Sequence, residues 1–371
     1  MKTYVLFLLF SITAWAGPRE QAFKLHNRLT GVPPKPDVLL VMEDHIRSGE
    51  PERAAEVAVQ DPRFYNIVLK NWIKPWTNRE RTNRVELNDY VATVLGVIRD
   101  DIPFDRILYD DIIYTVNDTT APAYSNTSNA HYSNVESRNV DLEANLIGQT
   151  QSTLTGLPAT SGVITTRAAG AAFYSAGTNR RINRFTFINY LCKDYEDLHD
   201  ITIPDYRVRR DVERNPGGDS RTYKNKCVGC HAGQDALAGA FAHYDFVDNG
   251  LVYTPLKVVT KMNHNNYYPE GFVTSTDSWI NTWATGQNAV LGWRGATQGN
   301  GVKSLYQMFA KSKAFSQCMS KKVFELVCLK EAINPDDKAA VETNAAAFEK
   351  DNQYNLKKLI VRTSARCVTN E

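Results

Sequence analysis

The chain has 371 residues, 43% of them hydrophobic and 11% aromatic, which is enough apolar surface for a large core and too much for a disordered protein. Its 43 basic and 41 acidic side chains leave a formal net charge of +2. No whole-molecule basic field follows, and nucleic-acid binding is set aside as the governing function.

The chain opens with Met1-Lys2, an apolar run from Val5 to Ile12, and Ala14-Trp15-Ala16. This order reads as a signal peptide over residues 1–16, cut after Ala16 to leave 371 − 16 = 355 residues. The apolar run is too short to span a bilayer, and no later stretch of about 18 apolar residues predicts a transmembrane segment. The expected location is periplasmic or secreted, where disulfides persist.

Residues 17–160 read as a helical N-terminal domain. Asp37 is placed to cap a helix carrying Val38, Leu39, Met42 and Ile46. Asp61-Pro62 is a second start, followed by Tyr65, Val68, Leu69, Trp72 and Ile73 on one face until Pro75 ends the run. Leu87, Val91, Val94, Leu95 and Ile98 make another helical stripe, and Phe104, Ile107, Leu108 and Ile112 a further one. From Asn117 to Asn139 the composition turns to Thr, Ser, Asn, Ala and Pro, which predicts a long surface loop with His131 as a loop histidine.

Residues 161–371 read as the second domain. It begins with many arginines: Arg180, Arg181, Arg184, Arg207, Arg209, Arg210, Arg214 and Arg221. Pro216-Gly217-Gly218 marks a tight turn. The decisive pattern follows, Cys227-Val228-Gly229-Cys230-His231. Two thiols three positions apart with an imidazole next to the second are the c-type haem attachment pattern, in which the sulfurs form thioethers and the histidine takes the iron from one side. The competing reading is a thioredoxin-like dithiol or a simple disulfide, neither of which needs the adjacent His231. One such motif predicts one covalent haem c, with Cys227 and Cys230 binding the cofactor and His231 as proximal iron ligand. Some of the arginines then pair with propionates, or form a solvated basic face. Beyond the motif, Pro269-Glu270-Gly271 and the stretch Gly292 to Gly301 predict loops. Phe315 to Val327, the Asn334-Pro335 start, and Leu356 to Ile360 predict closing helices. The expected fold class is mainly α, a multi-helix secreted protein with its haem site in a loop-rich C-terminal half.

Four cysteines remain after the motif. Cys318 and Cys328 lie ten residues apart in one predicted helix, about 15 Å of rise, beyond the reach of a bridge. The pairs chosen are Cys328 with Cys367 and Cys192 with Cys318; four free buried thiols are the alternative.

Around the motif the residues resemble planctomycete-type cytochrome c proteins built from domains of unknown function, with relatives among marine and predatory proteobacteria. Cys227 to Leu237 is similar to that family's haem motif followed by Gly-Met-Asp-Pro-Leu, and Ala240 to Asp245 to its trailing Ala-Phe-x-x-Tyr-Asp. Gln234 and Ala236 depart from the Met-Asp-Pro form. Gly301 to Cys328 and Phe64 to Tyr114 resemble its C-terminal helical module and helical N-terminal part. The resemblance implies a periplasmic or surface c-type cytochrome and supplies no substrate.

The face opposite His231 decides what such a haem does, since a second strong ligand closes the iron and an open face admits peroxide, oxygen or nitric oxide. Met262, in the polar stretch Lys261 to Asn265, is the preferred distal ligand; His243, His264, Met308 and Met319 are the others. The favoured function is electron transfer to redox partner proteins. A haem enzyme or gas sensor with an open distal face is the alternative, and an interaction subunit a third.

Overall fold

Proline starts the first three helices. In the computed structural model, which describes residues 17–369, α1 (Pro18–Thr30), α2 (Pro36–Arg47) and α3 (Pro51–Ala58) each carry the ring where no intrahelical N–H is needed. Asp37 therefore sits inside α2 rather than capping it, because Pro36 already sets the first helical φ. The signal peptide expected over residues 1–16 lies outside the described residues.

The centre of the N-terminal half is α4 (Asp89–Arg99), capped by Asn88, whose side chain accepts from the Val91 N–H at 3.1 Å. Every residue from Asp89 to Ile98 is buried, so this helix is core on all sides. The stripe from Phe104 to Ile112 is not a helix: Phe104–Leu108 forms a 3₁₀ turn, and β1 (Ile112–Val116) follows. Ile112, Ile113, Thr115 and Val116 are β-branched, and such side chains pack more freely on a strand than against a preceding helical turn. The stretch expected to be a surface loop contains α5 (Ala130–Ser137). His131 on it is buried, not a loop residue. Its Nδ1 lies 2.7 Å from the Pro122 carbonyl oxygen, and its Nε2 accepts from Val116 N–H at 3.1 Å. β2 (Leu146–Thr150) then closes an antiparallel ribbon on β1, with Tyr114 opposite Gly148.

The second half runs through α6 (Arg180–Thr186) and α7 (Val228–Ala238) into a hairpin of β3 (Tyr244–Val247) and β4 (Gly250–Tyr253). A second ribbon joins β5 (Ser278–Ile280) to β6 (Gln298–Asn300), with 3₁₀ turns and irregular chain around it. Four helices end the chain: α8 (Gly301–Lys311), α9 (Lys313–Cys328), α10 (Pro335–Lys350) and α11 (Leu356–Thr369). Asn334 caps α10 through the Asp337 N–H at 2.8 Å, with Pro335 at the first helical position. The fold is mainly helical with three two-stranded ribbons. Among the described residues no helix is long and apolar enough to cross a membrane.

Across residue 160, where the sequence suggests a boundary, apolar packing runs on. One buried cluster extends from Ala22 to Val368, and α11 packs on α1 and α3. Polar contacts reinforce it: Phe104 N–H donates to the Tyr354 carbonyl at 2.8 Å, Lys357 Nζ to the Arg99 carbonyl at 2.9 Å, and the Tyr90 and Tyr190 hydroxyls bond to each other.

Cys192 pairs with Cys318 and Cys328 with Cys367, at Cα separations of 5.2 and 5.4 Å. Cys318 and Cys328 share α9 without meeting, and each ties it to a different part of the chain. The two pairs are compatible with an oxidising compartment. They close loops of 126 and 39 residues, for which unfolded-state entropy gives about 5 and about 4 kcal/mol. C192A/C318A is expected to lower the denaturation midpoint more than C328A/C367A, measured by denaturant unfolding monitored by circular dichroism.

His26 in α1 is buried, with Nδ1 3.0 Å from the Val32 carbonyl oxygen and Nε2 3.7 Å from the Asp61 carboxylate. Burial pushes its pKa below the ordinary value against the opposing pull of Val32 and Asp61. The unfolded chain then binds a proton near pH 6.5 that the folded chain resists, so this contribution is present above pH 6.5 and is lost as pH falls below it. Tm is expected to drop between pH 7.5 and 5, with a shallower drop in H26Q.

Candidate functional site

A π-helical turn over Tyr223–Cys227 runs directly into α7, with the Val228 N–H bonded to the Tyr223 carbonyl. Turns of this kind often mark functional positions. At about 100° per residue, Cys227, Cys230 and His231, at i, i+3 and i+4, lie on one face of the helix. Gly229 and Gly233 lie on the opposite face. A Cβ on Gly229 would come within 2.7 Å of the His199 ring, and one on Gly233 within 2.0 Å of the Trp283 indole. These two absent side chains let aromatic rings lie against the helix backbone and fix its orientation. The Asp200 N–H, donating to the Gly229 carbonyl at 3.1 Å, adds a tether. On the front face, Cys227 and Cys230 are half-buried free thiols, and the His231 side chain is 25% exposed.

One turn further on, Asp235 is fully buried, with Oδ2 3.5 Å from His231 Nδ1, the outer edge of hydrogen bonding. Nδ1 has no closer partner among the described residues. Arg180 donates to Asp235 through Nε and Nη2, the latter at 2.8 Å, and to Asp211 at 2.7 Å. The Arg209 N–H donates to Asp235 at 3.0 Å, while its guanidinium, 1% exposed, lies 3.8 Å away. Burial alone would raise the Asp235 pKa, but Arg180 and Arg209 beside it hold it well below the carboxylate range. Arg209 itself is pushed down to about 10 by burial and by the like charge of Arg180.

Cys230 Sγ donates to the Tyr195 carbonyl at 3.3 Å. Burial pushes this thiol up to about 11, and the Glu196 charge adds to the effect. A redox dithiol or a thiolate nucleophile needs the opposite shift. Next to Cys230 a cavity of about 460 Å³ opens between Arg180, Arg181, Arg184, Tyr195 and Gln234, within the size range of small-molecule sites.

The residues considered for the distal face are engaged elsewhere. Met262, expected in a polar loop, ends a 3₁₀ turn and is buried, with Sδ accepting from Arg209 Nη1 at 3.5 Å. Met262 meets Arg209, and Arg209 in turn meets Asp235, the neighbour of His231, whereas Cys227, Cys230 and His231 share one face of α7. Met308 Sδ accepts from Asn281 Nδ2 at 3.4 Å, and Met319 is buried in α9. His243 is buried with Nδ1 2.8 Å from the Lys257 carbonyl oxygen; His264 is exposed, with Nδ1 3.0 Å from that of Lys261.

Several of the arginines have partners within the chain. Arg184 pairs with Asp194 at 2.6 Å, and Arg221 with Asp219 at 2.8 Å. Arg214 stacks between the Tyr223 and Tyr268 rings at 4.7 Å from each. Arg181 Nη1, Arg210 Nε and the Nε and Nη2 of Arg209 are buried with no hydrogen-bond partner among the described residues. Sequence reasoning missed Asp235 and His199. Asp235 carried a readable signal, four positions after His231 on the same helix face. His199 carried none, since only tertiary packing sets it against Gly229.

Among the described residues no group of three or more His, Cys, Asp or Glu side chains is placed to hold a metal ion. The expectation of a metal-binding, iron-holding cytochrome site is corrected on this point: side-chain geometry gives haem and iron no support of its own. Asp235, the carboxylate beside His231, is taken up by two guanidiniums.

No protein-family model matches the chain, and neither a curated protein nor a solved structure does. The family resemblance rests on the residues quoted for it.

A thiol held near 11 rather than 9 has about 100-fold less thiolate at neutral pH. Cys230 in the cofactor-free chain is expected to react with iodoacetamide at pH 7 about 100-fold more slowly than a model thiol, and to quicken up to pH 11, followed by peptide mass spectrometry.

Proposed function

We propose that this chain is a secreted or periplasmic electron-transfer protein that holds one haem c through thioethers to Cys227 and Cys230, with His231 as proximal ligand. The reading is supported most by the placement of two free thiols and one imidazole on a single helix face, with Cys230 tuned away from redox-thiol chemistry. It does not require a cluster of protein metal ligands. A porphyrin brings four nitrogens of its own, so the chain needs to supply two sulfurs for the ring edge and one imidazole for the metal. The donor set fits that demand, and a cavity opens beside Cys230.

When bound, such a group supplies a one-electron couple whose potential follows axial ligation and burial. The chain's own work is to hold the helix that carries His231 against its backing rings, to keep the Cys230 thiol protonated until attachment, and to meet the propionates. Arg181, whose Nη1 is buried without an acceptor and which lines the cavity beside Cys230, is one guanidinium suited to that last task. The two disulfide pairs accord with a compartment outside the cytoplasm. On this reading its partners are redox proteins, and it belongs with the planctomycete-type cytochromes that its motif resembles.

One observation favours a second reading, an open distal face that binds peroxide or a gas. Met262 and the other four distal candidates are committed to core packing, backbone or solvent.

Protein from a host that matures c-type cytochromes is expected to give a pyridine haemochrome spectrum of the two-thioether type, with pigment retained through acidified acetone. C227A/C230A is expected to be colourless. Colourless wild-type protein overturns the proposal. Reduced spectra with and without carbon monoxide then separate the two readings: no change marks a closed electron carrier, a shifted Soret band an open face.

A further inference from the structure

The mechanism above uses His231 but leaves unexplained why a carboxylate lies wholly buried behind it. Asp235 is 0% exposed at its side chain, shares its helix face with His231, and presents Oδ2 3.5 Å from the one imidazole nitrogen that faces inward. A buried charge costs several kcal/mol unless paired. Here pairing is supplied twice over, by the two-pronged Arg180 and by Arg209, whose backbone N–H also donates. Arg180 is in turn held by Asp211 and Thr178. The two guanidiniums and two carboxylates balance, so the network has no net charge apart from what His231 adds.

Such an arrangement has a consequence for the imidazole. An ionised carboxylate accepts and does not donate, so its charge at 3.5 Å favours a proton on the nitrogen facing it and leaves the lone pair on the other ring nitrogen. Outer-shell carboxylates of this kind set the tautomer of a ligating histidine and raise its basicity. We propose that Asp235 is the positioning residue of this site, fixing His231 with its proton on Nδ1 and its Nε2 lone pair presented on the face of Cys227 and Cys230, while Arg180 sets how much of the carboxylate's charge the imidazole feels. The tautomer stands by itself; what Nε2 then holds rests on the function proposed above.

Arg180 and Arg209 temper Asp235. Removing the carboxylate's charge weakens donation through the imidazole and favours the reduced metal, whereas removing a guanidinium leaves more negative charge on Asp235 and favours the oxidised one. A packing role alone gives no reason for opposite signs.

Two measurements test this. In the full wild-type chain made without cofactor, imidazole ¹⁵N signals of His231 are expected to show Nδ1 protonated and Nε2 bare; a proton on Nε2 overturns the inference. In the pigmented protein, D235N is expected to shift the reduction equilibrium about tenfold toward the reduced state, 59 mV for one electron, and R180Q to shift it the other way. No shift in either variant, or shifts of the same sign, overturns it as well. A chain that never acquires pigment sinks the function and leaves the ¹⁵N result to decide on Asp235.

Discussion

The structure around the Cys-x-x-Cys-His segment depends on one buried carboxylate. Asp235 is reached at once by Arg180, Arg209 and His231, from three separate parts of the chain. Each partner alone would be insufficient: a single guanidinium in this environment would leave the carboxylate short of donors, and the imidazole lies too far for a full hydrogen bond. Together they turn an expensive group into a junction, since breaking one arm of a buried ion pair costs about 3–5 kcal/mol. The start of α6, the turn at Arg209 and helix α7 are held in register by that cost. Met262 is drawn in too, as its sulfur serves one of the Arg209 donors.

The opposite side of α7 works by subtraction. Gly229 and Gly233 remove the side chains that would keep His199 and Trp283 from the backbone. Packing of rings on a bare helix surface leaves few orientations for the helix to adopt, and so sets the direction of the face that carries the two thiols and His231. The same glycines would be weak points in an isolated helix. Here tertiary contact replaces what propensity lacks.

Cys230 illustrates how the surroundings choose among chemistries that share a spacing. Two thiols three positions apart suit a disulfide, a redox dithiol or a thioether pair. Burial against the Tyr195 carbonyl and the nearby Glu196 charge keeps this thiol protonated, which suits a sulfur that must wait unpaired. Cys192, Cys318, Cys328 and Cys367 meet the opposite condition, each facing a second sulfur at bridging distance.

The amino-acid sequence by itself determined several of the helices and the shared face of Cys227, Cys230 and His231. The apolar stripe of α4, the Asn334-Pro335 start of α10 and the i, i+3, i+4 placement of Cys227, Cys230 and His231 are local patterns, fixed by helical period and capping chemistry. It failed where the same apolar residues suit two periods, as at Ile112, where strand pairing with the distant β2 won over helical spacing. Polar composition also misled at His131, whose partners Pro122 and Val116 become visible only once the chain turns back on itself. Tertiary structure alone decided that Met262 is buried, that Arg209 is buried, and that two guanidiniums flank the carboxylate of Asp235. A charge's neighbours come from remote segments, and the free energy of burying it depends on all of them together, so no spacing along the chain can express it.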